Sequence, residues 1–287
     1  MRVATLFALG IDPPVAAFDL GRDTASGNLQ TQDVDAALIF GGDGTLNRYL
    51  PELIEKQIPF LIVPCGSGND FARELGIKTH ADAARAWQAF RNGGCHVTRV
   101  DAVQVRFPTG VTRFYCNIAG IGLDSATNNV ANKQPRWIRK RGGYNLAALQ
   151  ALATFEAPSV SLTLTLPDSK RLEIERRMTL AAFAKGRSYG SGMRIAPAAD
   201  FTNGLLEVCL IAQASRARIL YLFPRVFSAK HVGLPEVEFF KARAVDVRSK
   251  PPQDVYGDGE LLGRTPFSLR VLPGALSAIT PSPAAQV

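Results

Sequence analysis

Residues 39–50 read IFGGDGTLNRYL, and this stretch decides how the first part of the chain folds. It places three glycines and an aspartate between a short apolar run, DAALIF at 35–40, and a pattern typical of a helix. A second apolar run, PFLIVPC at 59–65, leads into CGSGNDFAR at 65–73 in the same way. Continuous apolar runs of this length suit strands of a parallel sheet that is covered on both faces. Their alternation with helices predicts an open α/β sheet.

Both strand-to-helix junctions carry glycines that could surround a phosphate. Glycine lets backbone N–H groups approach an anion closely and permits positive φ, and a helix N-terminus behind the loop attracts negative charge. Thr45, Ser67 and Asn69 could add side-chain donors. Asp43 would repel a phosphate unless a cation lay between them, so it predicts Mg²⁺. One such loop could be a plain turn, but two in neighbouring βα units favour a phosphate site.

After about residue 98 the pattern changes to alternating apolar and polar residues. The alternation runs on both sides of a PDSK turn at 167–170, which predicts a β-hairpin. Two helices, predicted over 142–155 and 215–227, interrupt the strands. We therefore expect an α/β domain over 1–98 and an antiparallel β-sandwich-like domain with helical insertions over 99–273. The tail, from about 274 to 287, is expected to pack back on the first domain.

The charge of the chain is unevenly placed. Residues 1–100 hold 9 Lys and Arg against 11 Asp and Glu, a net charge of −2. Residues 101–287 hold 24 against 14, a net charge of +10, and the two parts together give +8. Such an asymmetry predicts an anionic partner, either nucleic acid or a membrane surface. No run of 18 apolar residues occurs, so no membrane-spanning helix is predicted. The four cysteines are dispersed without a C-x-x-C pair, which favours reduced thiols in a cytoplasm over zinc or disulfides.

The two glycine loops resemble those of the diacylglycerol kinase catalytic family of lipid kinases, especially its bacterial members. GGDGTLN at 41–47 and PCGSGNDFAR at 64–73 carry the resemblance, and GIGLDSATN at 120–128, GSGMRIAPAADFTNGLLEV at 190–208 and VYGDGE at 255–260 follow in the family's order. The resemblance implies a phosphofructokinase- or NAD kinase-like nucleotide-binding α/β domain, then a β-sandwich-like domain, with the active site in the cleft between them. It also implies transfer of the γ-phosphate of ATP to a lipid hydroxyl.

The same resemblance assigns roles to individual residues. It implies that the nucleotide phosphates are held by Gly41, Gly42, Asp43, Gly44, Thr45, Leu46 and Asn47 of the first loop and by Gly66, Ser67 and Asn69 of the second, with Asp43 also reaching Mg²⁺. Glu260 stands at the position of the catalytic base, which would orient and deprotonate the lipid hydroxyl. Asp258 is its rival for that role or a supporting partner. Taken alone, DGE at 258–260 could be a simple β-turn.

Three departures from the family pattern matter. Only 40 residues precede GGDGT, and residues 10–27 lack the N-P-x-x-G turn that usually contributes to the nucleotide pocket. A structural Mg²⁺ is implied at Asp200, Asn203 and Leu205, but Asn203 replaces the usual Asp, so we expect this site to be weak or empty. Lys185 stands where the family often has Asn.

The segment NKQPRWIRKRGGY at 132–144 holds five cations, no acid and a tryptophan. It predicts contact with an anionic membrane surface, although a solvated helix end would look similar. No nucleic-acid-binding motif accompanies the charge, so no nucleic-acid partner is expected. The leading hypothesis is a cytoplasmic, peripherally membrane-associated lipid kinase that uses Mg²⁺ and ATP, with diacylglycerol as the favoured acceptor. The alternatives are an NAD kinase-like enzyme and a non-catalytic lipid or nucleotide sensor.

Overall fold

The computed structural model describes residues 1–8, 18, 24–26, 29, 33–66, 68–94, 96–134, 143–190 and 192–281. The chain divides into two compact units, the first made of Met1–Ala102 with Pro273–Val287 and the second of Val103–Leu272. The divisions therefore fall a few residues from the predicted positions at 98/99 and 273/274.

The first unit is an α/β layer built on a parallel sheet. Its elements are β1 (Val3–Phe7), β2 (Thr24–Ser26), β3 (Ala36–Gly41), α1 (Asp43–Lys56), β4 (Pro59–Pro64), α2 (Asp70–Glu74) and α3 (His80–Arg91), with the outer parts of β5 (His96–Arg106) and β15 (Phe267–Thr280). The strand order is β15-β4-β3-β1-β2, and each neighbouring pair is parallel.

The local sequence explains these elements. Every residue of β3 is buried, as the apolar run predicts for a central parallel strand. The helix α1 buries Leu46, Leu50 and Leu53, which share one face at a spacing of three to four residues. This helix continues through Pro51, although proline disfavours the interior of a helix. The carboxyl ends of β3 and β4 lie side by side, because Gly41 pairs with Pro64 at the end of the ladder.

The second unit is antiparallel, and its described residues include three helices. Its remaining elements are β6 (Thr112–Tyr115), β7 (Ile118–Gly122), α4 (Leu123–Lys133), α5 (Gly143–Thr154), β8 (Ser159–Thr165), β9 (Arg171–Ala184), β10 (Leu206–Ala212), α6 (Arg216–Phe227), β11 (Val237–Ala242), β12 (Ala244–Lys250), β13 (Asp254–Gly257) and β14 (Glu260–Arg264). One path of strands is β14-β13-β7-β9-β10-β11, and another is β9-β8-β12-β15.

The strand β9 belongs to both paths of the second unit. Its first half pairs with β8, and its residues alternate between exposed and half-buried positions. Its second half pairs with β7 and β10 and is buried throughout. A single apolar core collects side chains from the strands of both paths. This core fixes the ends of β7 and β13, where the candidate catalytic residues lie.

Candidate functional site

The two glycine loops of the first unit pack backbone to backbone. A Cβ added to Gly66 would lie 2.7 Å from the Cα of Gly42, and a Cβ on Gly42 would lie 3.1 Å from the Cα of Gly66. A Cβ on Gly41 would lie 2.3 Å from the Oγ1 of Thr45. These three glycines do not have positive φ. Gly42 and Gly66 are therefore required by the contact of the two loops, and Gly41 by the Thr45 side chain, so none of the three uses the positive φ that glycine also permits.

Asn69 closes the second loop on itself. Its Oδ1 accepts a hydrogen bond from the Gly66 N–H at 2.9 Å, and its Nδ2 donates to the Gly66 carbonyl at 2.8 Å. Asn69 has φ +50°, a left-handed conformation that asparagine tolerates better than most residues. Arg73 supports the same loop, since its guanidinium donates to the Gly68 carbonyl and to the Asp70 carboxylate. The loop is thus held in one shape by its own side chains.

Asp43 joins the first loop to the start of α2. Its two carboxylate oxygens accept hydrogen bonds from the N–H groups of Asp70 and Phe71, each at 3.1 Å. These are the first two residues of a helix whose N-terminal N–H groups have no partner within the helix. A carboxylate placed there is stabilised by the partial positive charge of the helix end. The Asp43 carboxylate, for which the sequence predicts Mg²⁺ as the partner, therefore has backbone N–H partners as well.

Two carboxylates converge beside Gly68. A point at the Cβ position of Gly68 lies 3.5 Å from the Oδ2 of Asp70 and 3.7 Å from the Oδ2 of Asp43. Asp70 is buried. Over the ranges that the structure describes, no group of three His, Cys, Asp or Glu side chains is arranged to hold a metal ion. The arrangement is an acidic pair rather than a complete cage of carboxylates.

The remaining first-loop residues differ in their exposure. Leu46 is fully buried in the core of the first unit, and its N–H donates to the Gly42 carbonyl. Gly44, Thr45 and Asn47 are half-buried in the first turns of α1. Ser67 and most of residues 9–32 lie outside the described residues.

In the second unit, DGE at 258–260 forms the tip of the hairpin that joins β13 and β14. Asp258 and Gly259 both have positive φ, at +53° and +85°, and Gly257 pairs with Glu260 across the turn. Two central residues with positive φ are the pattern of a type I′ hairpin, for which Asp-Gly is a preferred sequence. The backbone at 258–260 is therefore the β-turn that DGE alone would predict. Any catalytic role of this turn depends on the Asp258 and Glu260 side chains.

The Asp258 carboxylate anchors this turn to the segment that leads into β7. One of its oxygens accepts from the Cys116 N–H at 2.9 Å, and the other accepts from the N–H groups of Asn117 and Ile118 at 2.9 and 3.2 Å. All three donors belong to buried residues. The charge of Asp258 also adds to burial in raising the pKa of Tyr115. In this structure the Asp258 carboxylate therefore anchors the turn through backbone donors.

The Glu260 side chain has a different environment. It is exposed, and its carboxylate makes no hydrogen bond or ion pair with any described residue. Its charge contributes, after burial, to raising the pKa of Tyr256. The hairpin therefore holds one carboxylate by backbone donors and presents the other, two residues later, to solvent. An exposed carboxylate on a rigid turn can accept a proton from a hydroxyl that is brought to it.

The Lys185 ammonium lies against the loop at 200–205. In the sequence, Lys185 stands out only as a departure from the family pattern. The Lys185 ammonium donates to the Asn203 Oδ1 at 3.0 Å and to the Leu205 carbonyl at 2.8 Å. Lys185 has no exposed surface. The Asp200 carboxylate accepts hydrogen bonds from Thr202, which lower its pKa, and the charges of Lys185 and Arg187 add to this effect.

An apolar cavity of the second unit includes a polar lining residue that no sequence pattern indicated. Asp124, at the start of α4, is buried and lines a cavity with Leu180, Ile219, Phe223 and other mostly apolar side chains. Asp124 occurs in the quoted motif at 120–128, but nothing in the sequence indicates that helices α5 and α6 bring apolar residues beside it. Asn117 was missed for the same reason, because its bond to Asp258 spans 141 residues.

Two family models match the chain and divide it in the same order as the fold. The diacylglycerol kinase catalytic domain matches residues 20–105. The YegS C-terminal NAD kinase beta sandwich-like domain matches residues 117–280. The predicted fold class, an NAD kinase-like α/β domain with a β-sandwich-like domain, is therefore confirmed.

Individual relatives agree with the family models. The chain is 34% identical to a diacylglycerol kinase of Mycobacterium tuberculosis over 247 residues, which are 86% of this chain and 77% of that protein. It is 26% identical to a diacylglycerol kinase of Bacillus subtilis, over 82% of this chain and 74% of that protein. A crystal structure of a diacylglycerol kinase from Bacillus anthracis str. Sterne has the same fold, with a TM-score of 0.65 over 98% of this chain and 97% of that chain, at 20% identity. The chain belongs to the diacylglycerol kinase catalytic family of lipid kinases.

Proposed function

We propose that this protein transfers the γ-phosphate of ATP to the hydroxyl of diacylglycerol and so produces phosphatidic acid. The observation that carries the proposal is the pair of glycine loops at the carboxyl ends of β3 and β4, packed so closely that no side chain fits between Gly42 and Gly66. Ligands of open α/β sheets bind at this edge. Backbone N–H groups and helix N-termini at such an edge are suited to the phosphates of a nucleotide.

Mg²⁺ fits the acidic pair beside Gly68. One oxygen of Asp43 and one of Asp70 lie within 3.7 Å of the same point, while the other Asp70 oxygen pairs with Arg73, and hard oxygen ligands are those that Mg²⁺ takes in proteins. With one or two carboxylates, Mg²⁺ usually keeps several waters and also binds substrate phosphates. When bound, it would neutralise the charge of the phosphates that approach Asp43. The two backbone hydrogen bonds of Asp43 keep its carboxylate in place for this role.

Glu260 is the proposed catalytic base. As the lipid hydroxyl attacks the γ-phosphorus, a bond forms between the lipid oxygen and phosphorus, the bond from phosphorus to the β-phosphate oxygen breaks, and ADP leaves. The proton of the hydroxyl passes to the Glu260 carboxylate. Asp258 holds the turn from which Glu260 projects, through three backbone N–H groups.

The lipid acceptor is supported by the apolar cavity of the second unit. Leu123, Leu180, Ile219, Leu222 and Phe223 are among the residues that line it, and its few polar lining residues include Asp124. An acyl chain is suited to such a lining, whereas the nicotinamide and ribose groups of NAD are not. The cavity therefore favours a lipid acceptor over the NAD kinase-like alternative.

Peripheral membrane contact is proposed through α5 and α6. Leu146 and Leu149 on α5 and Leu220 and Tyr221 on α6 are each more than 40% exposed, and it is the grouping of exposed apolar side chains, rather than any single one, that marks a contact surface. The Arg225 guanidinium lies 3.3 Å from the centre of the Tyr221 ring. Apolar side chains beside arginines suit the interface of an anionic bilayer. No helix in the described ranges is long and apolar enough to cross a membrane. The predicted basic segment lies largely outside the described residues, at 135–142.

The membrane proposal is tested by co-sedimentation with phosphatidylglycerol-containing and pure phosphatidylcholine vesicles. We expect Leu149→Ser to weaken binding to the anionic vesicles, and Val111→Ser, an exposed apolar residue on the β5–β6 turn, to leave it unchanged. Equal binding of Leu149→Ser and the unsubstituted protein would refute the proposed surface.

The kinase proposal is tested with purified protein, Mg²⁺ and γ-labelled ATP against diacylglycerol, sphingosine, an undecaprenol-like alcohol and NAD. We expect labelled phosphatidic acid, and a loss of at least about 100-fold in turnover for Glu260→Gln. Glu173→Gln, another exposed glutamate of the second unit, is the matched control and should retain full activity. Labelled NADP without lipid product would establish the NAD kinase-like alternative, and no product from any acceptor would favour the sensor.

A further inference from the structure

Lys185 is the only lysine among the described residues that is fully buried. It follows the last residue of β9, and its ammonium donates to the Asn203 side-chain oxygen and the Leu205 carbonyl. These two oxygens belong to two of the three residues for which the family resemblance implies a structural Mg²⁺. The ammonium thus lies where the cation is expected.

The geometry around Asn203 does not fit a divalent cation. Its Oδ1 accepts from the Lys185 ammonium and also from the Leu205 N–H at 2.9 Å. An amide oxygen has two lone pairs, so these two donors use its capacity. Asp200 is the third expected ligand, and its carboxylate accepts from the Thr202 N–H and hydroxyl. Both Thr202 donors bind the same oxygen of Asp200, but a metal at Asn203 and Leu205 would have to displace the Lys185 ammonium and the Leu205 N–H, and it would lie against a positive charge.

The two departures from the family pattern meet in one hydrogen bond. Asn203 stands in place of the usual Asp, and Lys185 stands in place of the frequent Asn. Asp with a divalent cation carries a local charge of +1, and Asn with a protonated lysine carries the same charge. We propose that the Lys185 ammonium replaces the structural divalent cation of this loop, so that the second unit needs no metal there.

The replacement also bears on the proposed catalytic turn. The N–H groups of Lys185 and Gly186 donate to the Asn117 carbonyl at 2.8 and 3.1 Å, and the Asn117 N–H donates to the Asp258 carboxylate. The residue that carries the ammonium is therefore hydrogen-bonded, through its backbone, to the residue whose N–H donates to Asp258. The proposed cation replacement thus lies one residue link from the turn that carries Glu260.

The experiment restores the metal site and requires no substrate. Lys185→Asn combined with Asn203→Asp is expected to bind one more equivalent of Mn²⁺ than the unsubstituted protein in equilibrium dialysis. Its melting temperature should rise by about 5–10 °C, beyond any rise in the unsubstituted protein, when Mg²⁺ exceeds its Kd about 100-fold. Asn203→Asp alone keeps the ammonium and should gain neither property. Lys230→Asn, at an exposed lysine, is the control for loss of one charge.

Two results would overturn the proposal: the same extra Mn²⁺ equivalent in Asn203→Asp alone, or no extra equivalent in a folded double variant. If the double variant does not fold, amine labelling with mass spectrometry decides on the unsubstituted protein. The proposal expects Lys185 to stay unlabelled with and without Mg²⁺, and labelling induced by Mg²⁺ would refute it. Because no kinase assay is involved, failure here would leave the proposed function untouched.

Discussion

Replacement of Asp258 tests whether its carboxylate anchors the turn at 258–260, separately from the role of catalytic base proposed for Glu260. Asp258→Gly removes the carboxylate but accepts the φ of +53°, so it adds no backbone strain. Three buried backbone N–H groups then lose their acceptor. A hydrogen bond to a charged group contributes about 1.5–3 kcal/mol. The three share one carboxylate and are not additive, so we expect a loss of about 3–5 kcal/mol.

The assay must report on the second unit. At about 2–4 °C per kcal/mol for a unit of this size, the melting temperature should fall by roughly 6–20 °C. Hydrogen exchange measured by mass spectrometry should show faster exchange of the amides of residues 116–118. Asp258→Asn keeps one oxygen acceptor and tolerates the same φ, so its loss should be about half as large.

The refuting result is an Asp258→Gly protein that melts within about 2 °C of the unsubstituted protein with unchanged exchange at 116–118. In that case the carboxylate would not anchor the turn. Glu260→Gln provides the complementary measurement, because its exposed side chain has no described hydrogen-bond partner. It should leave the melting temperature unchanged within about 1 °C while removing turnover.

Three further predictions concern other parts of the molecule. Asp43→Asn should destabilise the start of α2 by about 1–2 kcal/mol, because a neutral amide oxygen replaces a carboxylate that accepts two backbone hydrogen bonds. Hydrogen exchange of residues 70–72 in metal-free buffer measures this loss, and unchanged exchange would indicate that Asp43 serves only to bind metal. Gly66→Ala should lower both stability and nucleotide affinity, because its Cβ would lie 2.7 Å from the Cα of Gly42, whereas Gly93→Ala, with no atom within 4 Å, tests positive φ alone; equal thermal stability and ATP binding of Gly66→Ala and the unsubstituted protein would contradict the loop contact. Burial lowers the pKa of His231 below its ordinary value of 6.5, and its Nδ1 has no described partner, so the unfolded chain binds the proton more readily than the folded chain. The contribution of His231 to stability should be complete above about pH 6.5 and should decline as the pH falls toward the lowered pKa. Urea unfolding between pH 5 and 8 measures this slope, and an identical slope in His231→Gln would assign it to other groups.

Much of the fold could be predicted because local patterns agree with the final structure. The buried runs at 36–41 and 59–64 are fully apolar, and the hairpin of β8 and β9 follows from alternation on both sides of PDSK. In helix α3 the buried residues Ala83, Ala86 and Trp87 recur at helical spacing, and Thr79 and Asp82 form the capping box at its start. Each of these signals lies within about twenty residues of sequence. Pro51 is the exception, because α1 continues through a residue that disfavours helix interiors.

The candidate site was predictable only in its membership. The sequence indicated Asp43, Asp258 and Glu260 as chemically important. It paired Asp43 with a cation, and the resemblance implied that Glu260 is the catalytic base, with Asp258 as its rival or a supporting partner. Contacts decided the difference: Asp43 accepts two N–H groups of α2, and Asp258 accepts three from residues 116–118. These partners are 27 to 142 residues away along the chain, so no local pattern could reveal them.

By itself, the sequence determined that the first part of the chain alternates strands and helices and that the second part is antiparallel. It also determined that the chain carries two glycine loops that resemble those of a family of lipid kinases. Only the tertiary structure decided that the glycines are needed where the two loops touch, that Asp258 anchors and Glu260 is presented, and that the Lys185 ammonium lies among the oxygens expected to hold a metal. The reason is physical. Propensity and periodicity act over one or two turns of chain, whereas the partner of a carboxylate or an ammonium is chosen by whichever donors or acceptors the packed core brings within 3 Å.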